Sequence, residues 1–452
     1  MGFADRSLPR RLVDRDARSG DRARPSARDR STTHGRRVGV AAKTNILKRE
    51  RHQPDWSILV AVVALAAIGI LMVYSSSAMR SYIKSDDSLA IVGPQIVWAS
   101  LGLVAMVVMM RIDYRRLRLV SLPAYAIGVL LLVLVFVPGL GKVVGGSARW
   151  LLISPLPAIH PAEVAKLTLV IYLAHWMASR GTRISGIRSG TVPFLLISLP
   201  VIALVFKEPD LGTTTVIVGA AFTMFFVAGA RLWQFGAMAV LGVLTAIVVG
   251  LREYQLERIR AFLDPWDDQL GASFHTVQGL YALALGGIFG SGLGESKLAG
   301  GLYLPNAWND FIFAIIGEEF GILGAVTVVA LFVVLAYAGI RTAMRAPDSF
   351  GALLATGITA WLCIQAFINI GVVVALIPVT GITLPFISAG GSSLVISFAA
   401  VGILLSISRE TVERQQQQEE IDAPADRGRR DRGTHLPGTR RRGSATPPTE
   451  SA

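Results

Sequence analysis

The chain has few charged residues and almost no cysteine for its 452 residues. Only 17% of its side chains are Asp, Glu, Lys or Arg, whereas a soluble globular chain carries about a quarter. The single cysteine, Cys363, excludes an intrachain disulfide and a metal site built from several thiolates. No long apolar stretch precedes Trp56, so we expect no cleaved signal peptide and a first span that acts as an uncleaved anchor.

Apolar residues are abundant instead, and most of them come in long blocks. They make up 52% of the chain, and the mean hydropathy is +0.53. A bilayer core of about 30 Å needs roughly 20 residues of helix. The sequence therefore predicts an all-α polytopic membrane protein with about ten transmembrane helices. The ten runs lie at 56–77, 90–110, 122–139, 163–178, 193–207, 211–230, 233–251, 310–340, 352–377 and 385–408.

Arginines in the short connections predict the orientation. They follow spans two, four, six and eight, for example at Arg115, Arg183, Arg231 and Arg341. Basic connections stay in the cytoplasm. We therefore expect a multi-pass protein of the cell (inner) membrane with both termini cytoplasmic.

The net charge of +13 is concentrated in the N-terminal tail. We predict disordered cytoplasmic tails at 1–54 and 409–452 around a membrane core at 55–408. Attraction of the basic tail to anionic lipids is compatible with disorder. Since the excess charge belongs to a tail, we expect no nucleic-acid partner.

A large extracytoplasmic loop, residues 252–309, separates spans seven and eight, and it is too long for a simple connection. It opens with an amphipathic stretch, Arg252–Leu263, which is typical of a helix on the membrane surface. The apolar stretch Val277–Phe289 is too short to span and predicts a re-entrant or interfacial segment.

Asp310 closes this loop at the start of span eight. A carboxylate in the first turn of a helix complements the helix dipole without any chemistry, but the position after so elaborate a loop favours a functional site. Glu318 and Glu319 follow inside the span. Because charge at bilayer depth is costly, we expect both to face the protein interior, either paired with a buried Lys or Arg or lining the site.

Glu163 and Lys166 begin span four at i,i+3 spacing, which predicts an ion pair. The segment before them carries Lys142, Arg149 and His160. Cations on this side of the membrane suit an anionic, phosphate-bearing lipid headgroup.

Further candidates have simpler explanations beside functional ones. Glu208 and Asp210 flank Pro209 and would cap span six, with a site role left open. The glycines of 286–294, including Gly292 and Gly294, lack the strand and βαβ unit of a nucleotide loop and predict a tight turn or close approach to a ligand. Asp267 and Asp268 predict loop solvation. Ser392 belongs to a small-residue stretch that favours close helix packing.

Taken in order, these stretches resemble the SEDS family (shape, elongation, division and sporulation proteins) over roughly 55–408. Asn369–Val373 and Phe262–Trp266 are most similar to the division member, with the elongation member as the alternative. The matching stretches are Ala148–Trp150, Pro161–Lys166, Glu208–Thr213, Phe262–Trp266, Gly290–Gly294, Asp310–Phe313, Gly317–Glu319, Leu384–Ser388 and Gly390–Ser393.

The resemblance implies a peptidoglycan glycosyltransferase that polymerises lipid II during cell division, at the septum. It implies that Asp310 is the general base and that undecaprenyl-pyrophosphate-linked glycan is held at the site. A class B penicillin-binding protein (the transpeptidase) and other divisome membrane proteins are the implied partners, and a divalent cation is possible. The predicted substrate-binding residues are Lys142, Arg149, Glu163, Lys166, Glu208, Asp210, Gly292, Gly294 and Ser392.

Three departures from the family pattern concern the neighbours of these residues. Trp308-Asn309 stands where the family usually has His-Thr, His160–Glu163 where it has Gln-Pro-Ser-Glu, and Ala389–Gly391 where it has Tyr-Gly-Gly. A lipid II flippase and a scaffold that only recruits division partners are the competing hypotheses. The concentration of polar groups on one side weighs against the flippase.

Overall fold

The computed structural model describes residues 53–410 except for 145–146, 153–157, 250–252, 272, 302 and 305–306. The predicted tails, 1–54 and 409–452, lie almost entirely outside these residues. The boundaries of the tails therefore stay a prediction.

A long helix occupies most of each predicted apolar run. The helices are α1 (Trp56–Ser85), α2 (Val92–Arg111), α3 (Leu117–Leu134), α4 (Pro161–Arg180), α5 (Val192–Lys207), α6 (Leu211–Val227), α7 (Leu232–Val249), α11 (Ile312–Arg345), α12 (Ser349–Val373) and α13 (Ser392–Ser408). By length and composition, six helical stretches in the described part can cross a membrane: α1, α2, α11, α12, Tyr114–Leu134, which includes α3, and Ile187–Lys207, which includes α5. Helices α6 and α13 and part of α7 are apolar but shorter, while α4 includes Glu163, Lys166 and His175. The predicted helical, polytopic membrane fold is confirmed, and the count of about ten spans stays a prediction.

Side-chain caps fix several helix ends. Asp55 accepts from Ser57 N at 3.0 Å and begins α1, and Asp348 accepts from Gly351 N at 2.9 Å and begins α12. Such caps satisfy backbone N–H groups that have no partner in the helix. For α6 the predicted cap by Asp210 is confirmed, since its side chain accepts from Thr213 N at 3.0 Å. The helix begins at Leu211, with Asp210 as its cap.

The connection between α3 and α4 contains a small antiparallel hairpin, which the sequence analysis did not foresee. Its strands are β1 (Gly141–Val144) and β2 (Ser147–Leu151), and Lys142 lies opposite Trp150. The hairpin is the one sheet among the described residues.

The long loop before α11 contains α8 (Glu253–Leu263), α9 (Phe274–Gly286) and the short α10 (Lys297–Gly300). Helix α8 confirms that this stretch is helical, and its place on the membrane surface stays a prediction. Helix α9 covers much of the apolar stretch that was predicted to be too short to span.

Helix α11 breaks at Gly321, which has non-helical dihedral angles (φ 67°, ψ −162°). In an unbroken helix, the backbone groups on the two sides of Gly321 would form hydrogen bonds with each other. Instead, Ser291 N and Gly292 N donate to the carbonyls of Glu318 and Glu319, at 2.9 and 3.0 Å, and Ile322 N donates to Gly287 O at 2.9 Å. The glycine-rich turn therefore completes the hydrogen bonding of a broken helix, as backbone inside a membrane protein requires.

The predicted last span, 385–408, is helical only from Ser392. Residues 374–391 are non-helical, and we call them the return loop. Phe386 and Gly391 both have positive φ, a conformation that ends regular helix. The return loop packs deep in the bundle: a Cβ added to Gly69 in the middle of α1 would lie 2.6 Å from Phe386 O.

We expect Gly321→Ala to destabilise the protein. Alanine disfavours the positive φ at this position, and its Cβ would lie 2.4 Å from Ile288 O. The thermal unfolding midpoint of the detergent-purified protein should fall by several degrees. Gly93→Ala is the matched control, because a Cβ at Gly93 meets nothing within 4 Å. An unchanged midpoint for Gly321→Ala would contradict the described break.

Candidate functional site

Charged side chains from five elements gather at one end of the helix bundle. They come from β2, the start of α4, the connection between α5 and α6, α8 and the segment before α11. We call them the charged cluster. Its members are Arg149, His160, Glu163, Lys166, Glu208, Asp210, Arg258 and Asp310. The site residues predicted from distant parts of the sequence thus lie close together, apart from those discussed below.

Asp310 differs from the other acidic members in the surroundings of its carboxyl group. It lies before Phe311, which caps α11 without any side-chain hydrogen bond, and no described residue donates a hydrogen bond to its carboxyl. Gly381 lies alongside, where an added Cβ would be 3.6 Å from Asp310 Oδ2. The residue keeps part of its surface accessible. The simple interpretation of Asp310 as a helix cap is therefore not supported.

Burial and neighbouring charges bring the pKa of the Asp310 carboxyl closer to neutral pH. Desolvation, together with the negative charge of Asp210, raises the pKa of its carboxyl to about 6, while Arg149 and Arg258 oppose the rise. A carboxyl with a pKa near the working pH can hold a proton or release it. The site therefore contains a group suited to acid–base chemistry.

Glu208 and Asp210 differ in their surroundings. Asp210 accepts from Thr213 N at 3.0 Å and from Thr213 Oγ1 at 2.8 Å. Both carboxylate oxygens of Glu208 are buried without a partner, and burial, helped by Asp210, raises its pKa to about 8. At neutral pH Glu208 is therefore mainly protonated, which limits the negative charge around Asp310.

Arg149 and His160 connect the hairpin and α4 to these carboxylates. Arg149 donates from Nε to Glu208 O at 3.1 Å and from Nη2 to Pro209 O at 2.6 Å. His160 Nε2 lies 3.9 Å from Asp210 Oδ2, and burial lowers the pKa of its imidazole. The positive charge beside Asp210 and Asp310 thus comes from arginine rather than from histidine.

The predicted Glu163–Lys166 ion pair forms. Lys166 Nζ lies 2.9 Å from Glu163 Oε1 and donates to Gln365 Oε1 at 2.8 Å. Trp361 Nε1 donates to the same oxygen at 2.9 Å, and Lys166 lies over its ring, 5.0 Å from the centroid. The lysine is buried with 3% exposure, so this network ties α4 to α12.

The remaining predicted site residues lie around the cluster rather than within it. Lys142 is exposed on β1. Ser392 Oγ accepts a hydrogen bond from His160 N at 3.1 Å. Gly292 and Gly294 both have positive φ and lie in the turn that completes the break in α11.

Glu318 and Glu319 are buried, as predicted. Of the two alternatives for their surroundings, a Lys or Arg side-chain partner is not found among the described residues. Ser296 Oγ and Lys297 N donate to Glu318, the latter at 2.7 Å, and Ser75 Oγ donates to Glu319. These hydroxyl and backbone donors tie the loop and α1 to α11, although Glu319 Oε2 is buried without a hydrogen-bond partner.

Sequence analysis missed several polar residues that hold the site together, namely Gln365, Asn369, Ser388 and Arg258. Gln365 and Asn369 are spaced i,i+4 within an otherwise apolar span. Polar side chains at that depth need partners, and this spacing was the signal that could have identified them.

Among the described residues, no group of three or more His, Cys, Asp or Glu side chains could hold a metal ion. A divalent cation at this site stays a prediction.

The chain is similar over most of its length to proteins of one family. The family model for FtsW, RodA and SpoVE, described as a cell cycle protein, matches residues 55–413. Stage V sporulation protein E of Bacillus subtilis is 42% identical, covering 80% of this chain and 98% of that protein. A protein named probable peptidoglycan glycosyltransferase FtsW, from Geobacter metallireducens, is 40% identical and covers 81% and 97%.

Two solved structures share the fold. A chain of a peptidoglycan synthase complex, studied for the structural coordination of polymerization and crosslinking, matches with a TM-score of 0.64 at 29% identity. The match covers 80% of this chain and 99% of that chain. The rod shape determining protein RodA of Thermus thermophilus matches with a TM-score of 0.58 at 26% identity, covering 80% and 98%.

We expect Lys166→Met to destabilise the fold strongly, because it leaves Glu163 buried without its cation. Breaking a buried ion pair costs about 3–5 kcal/mol. Replacing both partners, Glu163→Gln with Lys166→Met, should recover most of this loss. Denaturant titration of the purified protein measures both effects.

Lys297→Met, the same substitution at an exposed lysine, is the control and should change little. Equal stability of the wild type and the Lys166→Met variant would show that the pair is not formed in the folded protein.

Proposed function

Because this chain belongs to the FtsW, RodA and SpoVE family of cell cycle proteins, we propose that it is a peptidoglycan glycosyltransferase that polymerises lipid II with Asp310 as general base. The resemblance expected from the sequence motifs is confirmed. The observation that carries the role of Asp310 is its carboxyl, which accepts no hydrogen bond from any described residue and has a pKa of about 6.

The reaction joins an acceptor sugar hydroxyl to the anomeric carbon of a lipid-linked donor. Asp310 in its ionised form takes the proton from the hydroxyl as the new C–O bond forms. The bond from the anomeric carbon to the lipid pyrophosphate breaks, and the pyrophosphate leaves with the electron pair. A base whose pKa lies just below the working pH is mostly ionised and still accepts a proton effectively.

Cations in and near the charged cluster support the departure of the pyrophosphate. Arg149 and Arg258 act electrostatically on the Asp310 carboxyl, and Lys142 is exposed on the hairpin beside Arg149. Positive charge fixed in advance beside the leaving group stabilises the charge that develops on it. Arg149 is held by two backbone carbonyls, so it needs little rearrangement during the reaction.

The other predicted substrate-binding residues have more modest roles. Glu208 and Asp210 are buried, so they shape the site without touching the substrate. Asp210 caps α6, and its charge helps to raise the pKa of Asp310. Lys166, Glu163 and Ser392 support the walls of the site. Gly292 and Gly294 shape the loop through their backbone.

The cluster lies on the extracytoplasmic face in this proposal, with both termini in the cytoplasm. Arginines at the opposite helix ends support this orientation. We place the protein at the division septum, with a class B penicillin-binding protein as partner. Similarity to a chain of a peptidoglycan synthase complex supports such an assembly.

Trp308, which stands where the family usually has His, has a packing partner within the protein. Arg80 of α1 lies over the Trp308 ring, 5.3 Å from its centroid, so the residue before Asn309 packs against α1. This packing is compatible with an active Asp310.

We expect Asp310→Asn to lower the rate of lipid II polymerisation by about 10²- to 10⁴-fold, the range attributed to a general base. Wild-type activity should fall as the pH drops below about 6, because protonation removes the base. The measurement is polymer length and rate with labelled lipid II, using the purified chain together with a class B penicillin-binding protein from the same organism.

Asp267→Asn, the same substitution at an exposed loop aspartate, is the control and should leave the rate unchanged. Full activity of Asp310→Asn would contradict the proposed base. Transbilayer movement of lipid II in vesicles without any polymerisation would favour the flippase instead.

A further inference from the structure

Three consecutive carbonyl groups, those of Trp308, Asn309 and Asp310, are each held by a hydrogen bond from outside their own segment. Ala389 N donates to Trp308 O at 3.0 Å, and Ser388 Oγ donates to Asn309 O at 2.7 Å. Asn369 Nδ2 donates to Asp310 O at 2.8 Å. The segment is a turn rather than helix, so these bonds replace the partners that a helix would have supplied.

The donors are themselves fixed to the return loop. Asn369 Nδ2 also donates to Ile382 O at 2.8 Å, so one amide group joins the backbone of Asp310 to the return loop. Ser388 Oγ accepts from Leu384 N at 2.8 Å, and Gln95 Nε2 donates to Ser388 O at 3.2 Å. The hydrogen bonds that hold the segment before α11 are therefore anchored in both α2, through Gln95, and α12, through Asn369.

Packing alone does not explain an asparagine at position 369. Its side chain is 1% exposed, and its amide oxygen is buried without a hydrogen-bond partner. A buried polar group with an unmet hydrogen bond lowers stability. Its two donated bonds, both to backbone around Asp310, account for the presence of an amide at this position.

We propose that Asn369 and Ser388 are positioning residues for glycosyl transfer, which fix the backbone of Asp310 so that its carboxyl meets the acceptor hydroxyl. The proposal rests on the role of Asp310 in the proposed function. The carboxyl has no hydrogen bond of its own from the described residues, so its placement depends on the peptide planes on either side of it. A misplacement of about 1 Å at a reacting group costs about 10²-fold in rate.

The test uses Asn369→Leu, which removes the donor at similar volume, and Ser388→Ala, which removes the hydroxyl. Both variants should lower kcat for labelled lipid II by about 10-fold to 10²-fold with little change in KM, because substrate contacts remain. Ser388→Thr retains a hydroxyl and should recover most of the activity. The assay uses the full chain with its penicillin-binding protein partner.

Matched controls lie in α12 and α13. Thr359→Val and Ser397→Ala each remove a buried hydroxyl that has no hydrogen-bond partner, and both should keep wild-type kcat. In a variant that is merely less stable, the amount of active protein falls as the thermal midpoint falls. The pH profile of such a variant stays that of the wild type.

The pH profile distinguishes positioning from general stability. Burial and Asp210 raise the pKa of Asp310, while Arg149 and Arg258 oppose them. A loosened Asp310 is better hydrated, so the acid limb of kcat in the Asn369→Leu and Ser388→Ala variants should move to lower pH. If Asn369→Leu does not fold, the comparison of Ser388→Ala with Ser388→Thr alone tests the positioning role.

Wild-type kcat and an unshifted acid limb in both variants, with Asp310→Asn inactive, would overturn the positioning role and leave the proposed function intact. Full activity of Asp310→Asn would instead overturn the proposed function together with this inference.

Discussion

Backbone groups that leave a helix inside a membrane protein must find hydrogen-bond partners within the protein, and the return loop, residues 374–391, depends on this constraint. Side chains of α2, α8 and α12 donate to its carbonyls, from Gln95, Arg258, Gln365 and Asn369. The same loop holds the segment before α11. The position of Asp310 therefore follows from the need to satisfy a loop buried in the bundle.

The charge balance of the site follows from the same enclosure. Three acidic side chains near Arg149 would repel one another if all were ionised, and burial resolves this by protonating Glu208 at neutral pH. Asp210 stays bound to Thr213, while Asp310 is left without a donor among the described residues. The two carboxyl groups of Glu208 and Asp310 thus have different pKa values, about 8 and about 6, and differences of environment are how proteins assign acid–base roles to similar side chains.

Local sequence patterns predicted much of this structure. Hydropathy located the helices, and i,i+3 spacing identified the Glu163–Lys166 pair because both residues lie on one helix. The return loop was misjudged as part of the last span because its apolar residues continue the hydrophobic run, although Pro385 and Gly391 mark its breaks. The break at Gly321 depends on backbone from residues 287–292. The partners of Asn369 and Ser388 are also distant in sequence, so no local pattern indicates them.

The central claim is that Asp310 is held ready to take a proton from the acceptor sugar. A structure of the chain with lipid II bound tests it most directly, through the distance from the acceptor hydroxyl to the carboxylate oxygens of Asp310. The account predicts a separation within hydrogen-bond reach, about 2.6–3.2 Å, with the pyrophosphate of the donor beside Arg149. An acceptor hydroxyl bound beyond that reach, with another carboxylate or no carboxylate beside it, would contradict the account.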